Sequence, residues 1–322
     1  MPGDGRAEKE WHMKTTFFKT IYEMAGQDDR IVFIKGDTAY VPDFQNSYPA
    51  QYLDVGIAEQ NMIGVAAGMA LEGKIPITYS IVNFATMRCL EQIRNDVAYH
   101  RLNVKVVSCG QGFDYGPLGA THHALEDIAI MRAMPNMTVF CPCDPVEAAA
   151  VIKAALQMDG PCFIRNGHGG EPVLHQNGLT DFQIGKALPL IGGTDIVLCV
   201  CGSIAKDAYG AAQKLRGMGL DAGLYSFPTV KPLDTKFILE RLDSARLIVS
   251  IEEHTVIGGF GSALAEVIAQ AGPHKALFRQ IGLKDTFSDE IGSREHLKQY
   301  YGMDETSIVN EVLTTIRGEE NL

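Results

Sequence analysis

The chain has 322 residues, 46% of them hydrophobic, with 33 glycines, seven cysteines and a formal net charge of −11. An acidic chain with no lysine/arginine run is a poor match for nucleic acid or an anionic membrane surface. Its length favours two domains, its odd cysteine count without a secretory leader points to a reducing cytoplasm, and no apolar run reaches the roughly 18 residues of a membrane span.

In chain order, the polar stretch 1–12 reads as a disordered tail. Residues 14–26 (KTTFFKTIYEMAG) place apolar side chains at helical spacing and stop at a glycine, which predicts a helix. The β-branched run Ile31 to Ile34 predicts a buried strand, 57–71 an apolar helix and KIPITYSIV a further strand. Residues 84–101 read as helix, 102–110 as strand, 124–134 as helix, MTVFCPC as strand, 145–158 as helix and PCFIRNG as strand. Strands alternating with helices of this length predict a parallel sheet covered on both faces. The rhythm fails over 168–193, which is rich in glycine and proline, and a domain boundary belongs there. A second alternation follows: strand DIVLCVCG, helix 204–218, strand AGLYSF, helix 233–242, strand ARLIVSIEE and the glycine-led helix GGFGSALAEVIAQAG. The expected fold class is α/β, with two successive α/β domains of mainly parallel sheet, 13–175 and 194–322, joined by a linker at 176–193.

Within DVGIAEQNM, Glu59 lies in the first turn of an otherwise apolar helix. A solvated acid is favoured there by the helix dipole. Beyond Asn61, however, the helix is apolar on every face, so its mouth opens into a mostly apolar pocket, where a carboxylate needs a partner or a task. GPLGATHHALED (116–127) sets His122 and His123 on a glycine-rich loop after a strand, at the edge where open α/β sheets place ligands. Alone, that pair is equally consistent with surface histidines and Thr121 as a helix cap, and no further residues at zinc-ligand spacing accompany it. Cys141/Cys143 and Cys199/Cys201 each fall two apart on a strand, share a face, and read as core. IGGFGSA (257–263) lacks the full dinucleotide or P-loop pattern, and the GDG at 3–5 precedes any strand.

Taken in order, DVGIAEQNM, FATMRCLEQIRNDVAY, GATHHALEDIAIMRAMPNM, CPCDPVEAAA, DGPCFIRNG and IEEHTVIGGFGSALAE resemble the C-terminal half of transketolases. In particular, they resemble the separately encoded C-terminal subunit of two-chain transketolases, over about residues 13–315. The resemblance implies a thiamine-diphosphate pyrimidine-binding domain followed by a transketolase C-terminal domain. It implies that Glu59 hydrogen-bonds N1′ of the aminopyrimidine, favouring the imino tautomer that deprotonates the thiazolium C2. Phe84 would stack on that ring, and Ile81 and Arg88 would border the cofactor. His122, with His123, would face the reacting carbonyl and substrate hydroxyls, and Arg165 would bind a sugar phosphate. The family's diphosphate domain, whose GDG and asparagine serve Mg²⁺, has no counterpart in this sequence. The implied partner is therefore an N-terminal transketolase subunit that holds diphosphate and Mg²⁺ or another divalent ion, two copies of each chain assembling.

Two departures bear on substrate. Leu118 stands where transketolases carry an aspartate that reads the donor hydroxyl, and Gly110 where a phosphate-site histidine falls. Leucine leaves a hydroxyl unpaired and disfavours such a donor. The implied activity is transfer of a two-carbon ketol or acyl unit from a ketose or 2-oxo acid to an aldehyde, by a cytoplasmic enzyme. The β subunit of a 2-oxo acid dehydrogenase and a deoxyxylulose-phosphate-synthase-like enzyme share the arrangement and stay open as alternatives.

Overall fold

The computed structural model describes residues 12–36 and 41–319, so all of the expected tail but His12, and the glycine–aspartate–glycine at 3–5, lie outside the described residues. The strands are β1 (Ile31–Lys35), β2 (Tyr52–Asp54), β3 (Ile75–Ile81), β4 (Lys105–Cys109), β5 (Thr138–Phe140), β6 (Cys162–Asn166), β7 (Leu188–Ile191), β8 (Ile196–Cys201), β9 (Ala222–Ser226), β10 (Thr229–Lys231), β11 (Leu247–Thr255) and β12 (Leu277–Leu283). They form a seven-stranded sheet ordered β10-β5-β6-β4-β3-β1-β2 and a five-stranded sheet ordered β12-β11-β8-β9-β7. All pairings are parallel except β10 with β5 and β7 with β9. The expected α/β class with two mainly parallel sheets is what the chain adopts.

Burial on both faces explains the continuous apolar strands. In β1, Val32 and Ile34 join a core with Met62, Ile63, Val97 and Val106, while Ile31 and Phe33 join a separate one with Phe17, Tyr79, Val107 and Ile152. The first core lies under the helix Glu59–Leu71, and the second lies under the helices Met13–Ala25 and Pro145–Gln157. The chain leaves β1 toward β2 on one side and returns to β3 on the other, so strand order reverses between β1 and β3. That crevice, at the carboxyl ends of the strands, is where sheets of this kind place ligands.

Three departures of the structure from the sequence reading bear on the site and on the division into domains. The helix expected over 84–101 is broken into Val82–Ala85, a 3₁₀ turn Met87–Cys89, the turn Leu90–Gln92 and a π-helical stretch Ile93–Ala98. Thr86, at φ −119° and ψ −78°, turns its hydroxyl back onto the Val82 carbonyl at 2.5 Å, competing with the helical ladder. Within the segment expected as linker, Leu188–Ile191 forms an antiparallel edge strand of the second sheet, a position that tolerates Pro189. Thr229–Lys231, from the second half of the chain, pairs with β5 and so belongs to the first sheet.

The two halves share a core in which Val139, Cys141, Ile128 and Met131 lie with Val197, Cys199, Phe227 and Phe260. All seven cysteines are buried and unbridged. Cys143, Glu147 and His175 bring three metal-capable atoms within 4.8 Å of one another. Glu147 there accepts from the Cys143 amide at 2.8 Å and contacts His175 Nε2 at 2.8 Å, ties that hold the start of Pro145–Gln157.

His254 of β11 is wholly buried at the same interface. Its Nδ1–H donates to the Thr255 carbonyl at 2.7 Å and its Nε2 accepts from the Ala129 amide at 3.4 Å, a pattern only the neutral ring can make. Burial pushes its pKa down from 6.5 to about 4. An unfolded histidine takes up its proton below about pH 6.5 and the folded one does not, so this contribution is present above that pH and is lost as pH falls toward 4. The expected loss is up to about 3 kcal/mol. Urea unfolding of wild type and His254→Asn at pH 7 and pH 4.5 measures it: the variant loses less stability on acidification, and equal losses would place the titration elsewhere.

Candidate active site

Glu59 opens its helix directly over the β1/β3 crevice and is 3% exposed. Its pocket is less apolar than the sequence suggests. Ser80 of β3, fully buried, donates to Glu59 Oε1 at 3.3 Å, and Arg88 Nη1 donates to Oε2 at 2.8 Å. At Gly36, the first residue past β1, an added Cβ would press on Ser80 Oγ at 3.3 Å and touch Glu59 Oε1 at 3.5 Å.

Phe84 stands in the short helix after β3, and the Arg88 guanidinium carbon lies 3.9 Å from its ring centroid. The His122 ring meets Phe84 edge to face, centroids 5.2 Å apart at 72°. The chain therefore brings Glu59, Arg88, Phe84 and His122 into one continuous contact series at the sheet's carboxyl edge. Ile81, the last residue of β3, is half-buried at the same edge.

The histidine loop is held from both sides. Asn83 Nδ2 donates to the carbonyls of Thr121 and His123, at 3.0 Å each. From the second domain, Glu253 Oε1 accepts from the Phe113 amide at 2.7 Å, and Arg294 pairs with both Glu253 and Asp114. His122 Nδ1 is taken up by Thr121 Oγ1 at 2.9 Å, which leaves Nε2 for a ligand.

Two expectations need correction. His123 does not join His122 at the site: it is 2% exposed, its Nε2 lies 3.0 Å from the Gly116 carbonyl, and burial lowers its pKa, so it anchors the loop as a neutral ring. Arg165 presents nothing to a sugar phosphate. It is fully buried, with Nε and Nη2 bonded to Asp127 at 2.7 and 3.2 Å and Nη2 also reaching the carbonyls of Ala124 at 2.6 Å and Glu253 at 3.1 Å. Gly110 is closed to a larger side chain, with φ +92° and the Tyr115 ring 2.5 Å from where a Cβ would stand. Leu118 is 55% exposed on the 3₁₀ turn Gly116–Leu118.

Ser80 and Asn83 escaped the sequence reading. Each is a lone polar residue between apolar ones, and only the folded sheet edge shows that one faces Glu59 and the other the histidine loop.

Comparison with known proteins gives this geometry a lineage. Residues 9–168 match the pyrimidine binding domain of transketolase, and residues 185–308 match the transketolase C-terminal domain. The chain is 36% identical over 311 residues to a putative transketolase C-terminal section of Methanocaldococcus jannaschii, covering 95% of this chain and 97% of that one. It is 37% identical over 312 residues to a 6-deoxy-6-sulfo-D-fructose transketolase subunit of a Clostridium species, covering 96% and 95%. Among solved structures it superposes on a split-gene transketolase, an inactive β4 tetramer, with a TM-score of 0.84 at 33% identity over 94% of this chain and 97% of that one. No helix among the described residues is long and apolar enough to cross a membrane. With both domains matched in order and relatives of the same length, the chain belongs to the transketolase family, as the C-terminal subunit of a split transketolase-like transferase.

Proposed function

We propose that this chain supplies the pyrimidine side of a thiamine-diphosphate site, completed by a second polypeptide that holds the diphosphate and Mg²⁺. The single observation that carries the reading is the juxtaposition of buried Glu59 with the face of Phe84. A flat, N–H-bearing group fits that space, as the Arg88 guanidinium demonstrates by bonding one and stacking on the other. When bound, the cofactor supplies a thiazolium carbon that attacks a carbonyl and an electron sink for the two-carbon unit. Glu59, steadied by Ser80, holds or releases the proton shared with the ring nitrogen N1′. Phe84 fixes the plane of the pyrimidine. His122 Nε2 hydrogen-bonds a substrate oxygen, and the second domain braces the start of its loop at Phe113 through Glu253 and Arg294.

The donor in this reading is a ketose or 2-oxo acid and the acceptor an aldehyde. The related Clostridium subunit, named for a sulfo-ketose, supports a ketose. The inactive β4 tetramer of the split-gene relative supports dependence on a second chain, and we infer an assembly of two copies of each. The unbridged cysteines favour a reducing cytoplasm.

The test is capture of a stoichiometric partner of roughly 30 kDa, one large domain, on the tagged chain with thiamine diphosphate and Mg²⁺ present. Cofactor retained only in the complex supports the reading; a chain that acquires no partner and no cofactor overturns it. Within such a complex, Leu118→Asp restores a hydroxyl reader at an exposed position. The expected result is a rise of about tenfold or more in kcat/KM for hydroxylated ketose donors relative to 2-oxo acids. An unchanged ratio removes Leu118 from the substrate site.

A further inference from the structure

We propose that Arg88 is a placeholder for the aminopyrimidine, holding Glu59 and Phe84 in register and swinging out to solvent when the cofactor enters. The proposal rests on the cofactor reading of the site, and it replaces the expectation that Arg88 is a cofactor ligand.

Three observations carry it. First, the guanidinium takes both contacts the pyrimidine needs: Nη1 is 2.8 Å from Glu59 Oε2, and Cζ is 3.9 Å from the Phe84 centroid. The latter is van der Waals stacking distance, so no second flat group shares that face of the ring while the arginine stays. Second, the burial is lopsided. The Glu59 side chain is 3% exposed and the Arg88 side chain 41%, so the arginine reaches in from water and can withdraw without opening the core. Third, Arg88 sits in the three-residue 3₁₀ turn Met87–Cys89, just after the irregular Thr86, rather than in a continuous helix that would fix its direction.

Charge explains why such a device is useful. A carboxylate that is nearly fully buried and has only Ser80 as a neighbour lacks a compensating charge, which is costly inside a protein. The guanidinium is planar, always charged and rich in N–H donors, so it satisfies the carboxylate and the ring face together. Cofactor entry is then an exchange of one flat donor for another, and Glu59 never faces the interior alone.

The experiment uses the full chain without its partner. The probe is 4-amino-5-hydroxymethyl-2-methylpyrimidine, the cofactor's pyrimidine half without the diphosphate that the partner would hold. Calorimetric titration compares wild type, Arg88→Ala and Glu59→Gln. If Arg88 competes with the ring, Arg88→Ala binds the probe about tenfold more tightly than wild type, the fold-change expected for removing one ordinary contact. Glu59→Gln binds it more weakly. Equal or weaker binding to Arg88→Ala, with binding still lost in Glu59→Gln, overturns the placeholder and leaves the site intact. Binding indifferent to both substitutions overturns the site reading and the placeholder together. A second measurement needs no destabilising variant. In ¹⁵N-arginine-labelled wild type, the Arg88 guanidinium resonance is protected in the free chain and moves to the solvated position on probe addition; a resonance already at the solvated position overturns the proposal.

Discussion

Replacing Glu59 with glutamine lowers kcat of the assembled enzyme by about 10²- to 10⁴-fold, the range for losing a positioned proton-transfer group. Glutamine keeps nearly the same shape and still bonds to Ser80 Oγ, which lies 3.3 Å away. The variant gives up the charge facing Arg88, at a site where that partner is already part-exposed, so the fold persists. Single-turnover kinetics with cofactor at saturation, alongside circular dichroism of the variant, make the measurement. Activity close to wild type in a folded, loaded variant would show that the carboxylate has no proton to handle. The loss belongs in kcat, because Glu59 stands beneath the cofactor and does not touch the donor or acceptor in this reading.

Arg165→Met is expected to destabilise the chain by about 3–5 kcal/mol, because it strands Asp127 as a buried charge without its partner. The guanidinium also ties the Ala124 carbonyl of the first domain to the Glu253 carbonyl of β11, so the loss reaches across the domain interface. Replacing both partners, as Arg165→Met with Asp127→Leu, should return much of the stability, since two apolar side chains pack where two ions were. Urea unfolding of the two variants decides it. A well-folded Arg165→Met whose only defect is a higher KM for phosphorylated donors would restore the phosphate-binding role that full burial denies.

How much of this was written in the sequence depends on which forces set each element. Ile31 to Ile34 in β1 is an unbroken apolar run because both faces are covered, and such a run is visible without a structure. Glu59 was legible for the same reason: one carboxylate in an otherwise apolar helix breaks its surroundings. His122 and Phe84 stood out through the motifs around them, and the folded chain sets them 5.2 Å apart. What stayed hidden is pairing. Nothing local marks Arg165 as buried, because Asp127 lies 38 residues away in sequence. Nothing local separates His123 from His122, since an inward or outward ring is decided by Gly116 and Phe113. Strands of three or four residues, such as β7 and β10, are too short to show a period. The helix Glu305–Glu319 does carry a signal in the sequence, with Ile308, Val312 and Ile316 buried at helical spacing.

The short antiparallel ladder between β10 and β5 sets how this protein can be divided. A cut through 176–193, where the sequence loses its rhythm, detaches from the first sheet the strand that covers its β5 edge, and exposes one side of the apolar layer built from Val139, Cys141, Phe227 and Phe260. Neither fragment then holds a complete unit, so heat should melt the intact chain in a single calorimetric transition. For chimaeras the consequence is practical. A recipient of the first half must also receive Thr229–Lys231, and in sequence that strand arrives only with β7, β8, β9 and the helix between β8 and β9. The exchangeable module is larger than the domain that surrounds the chemistry.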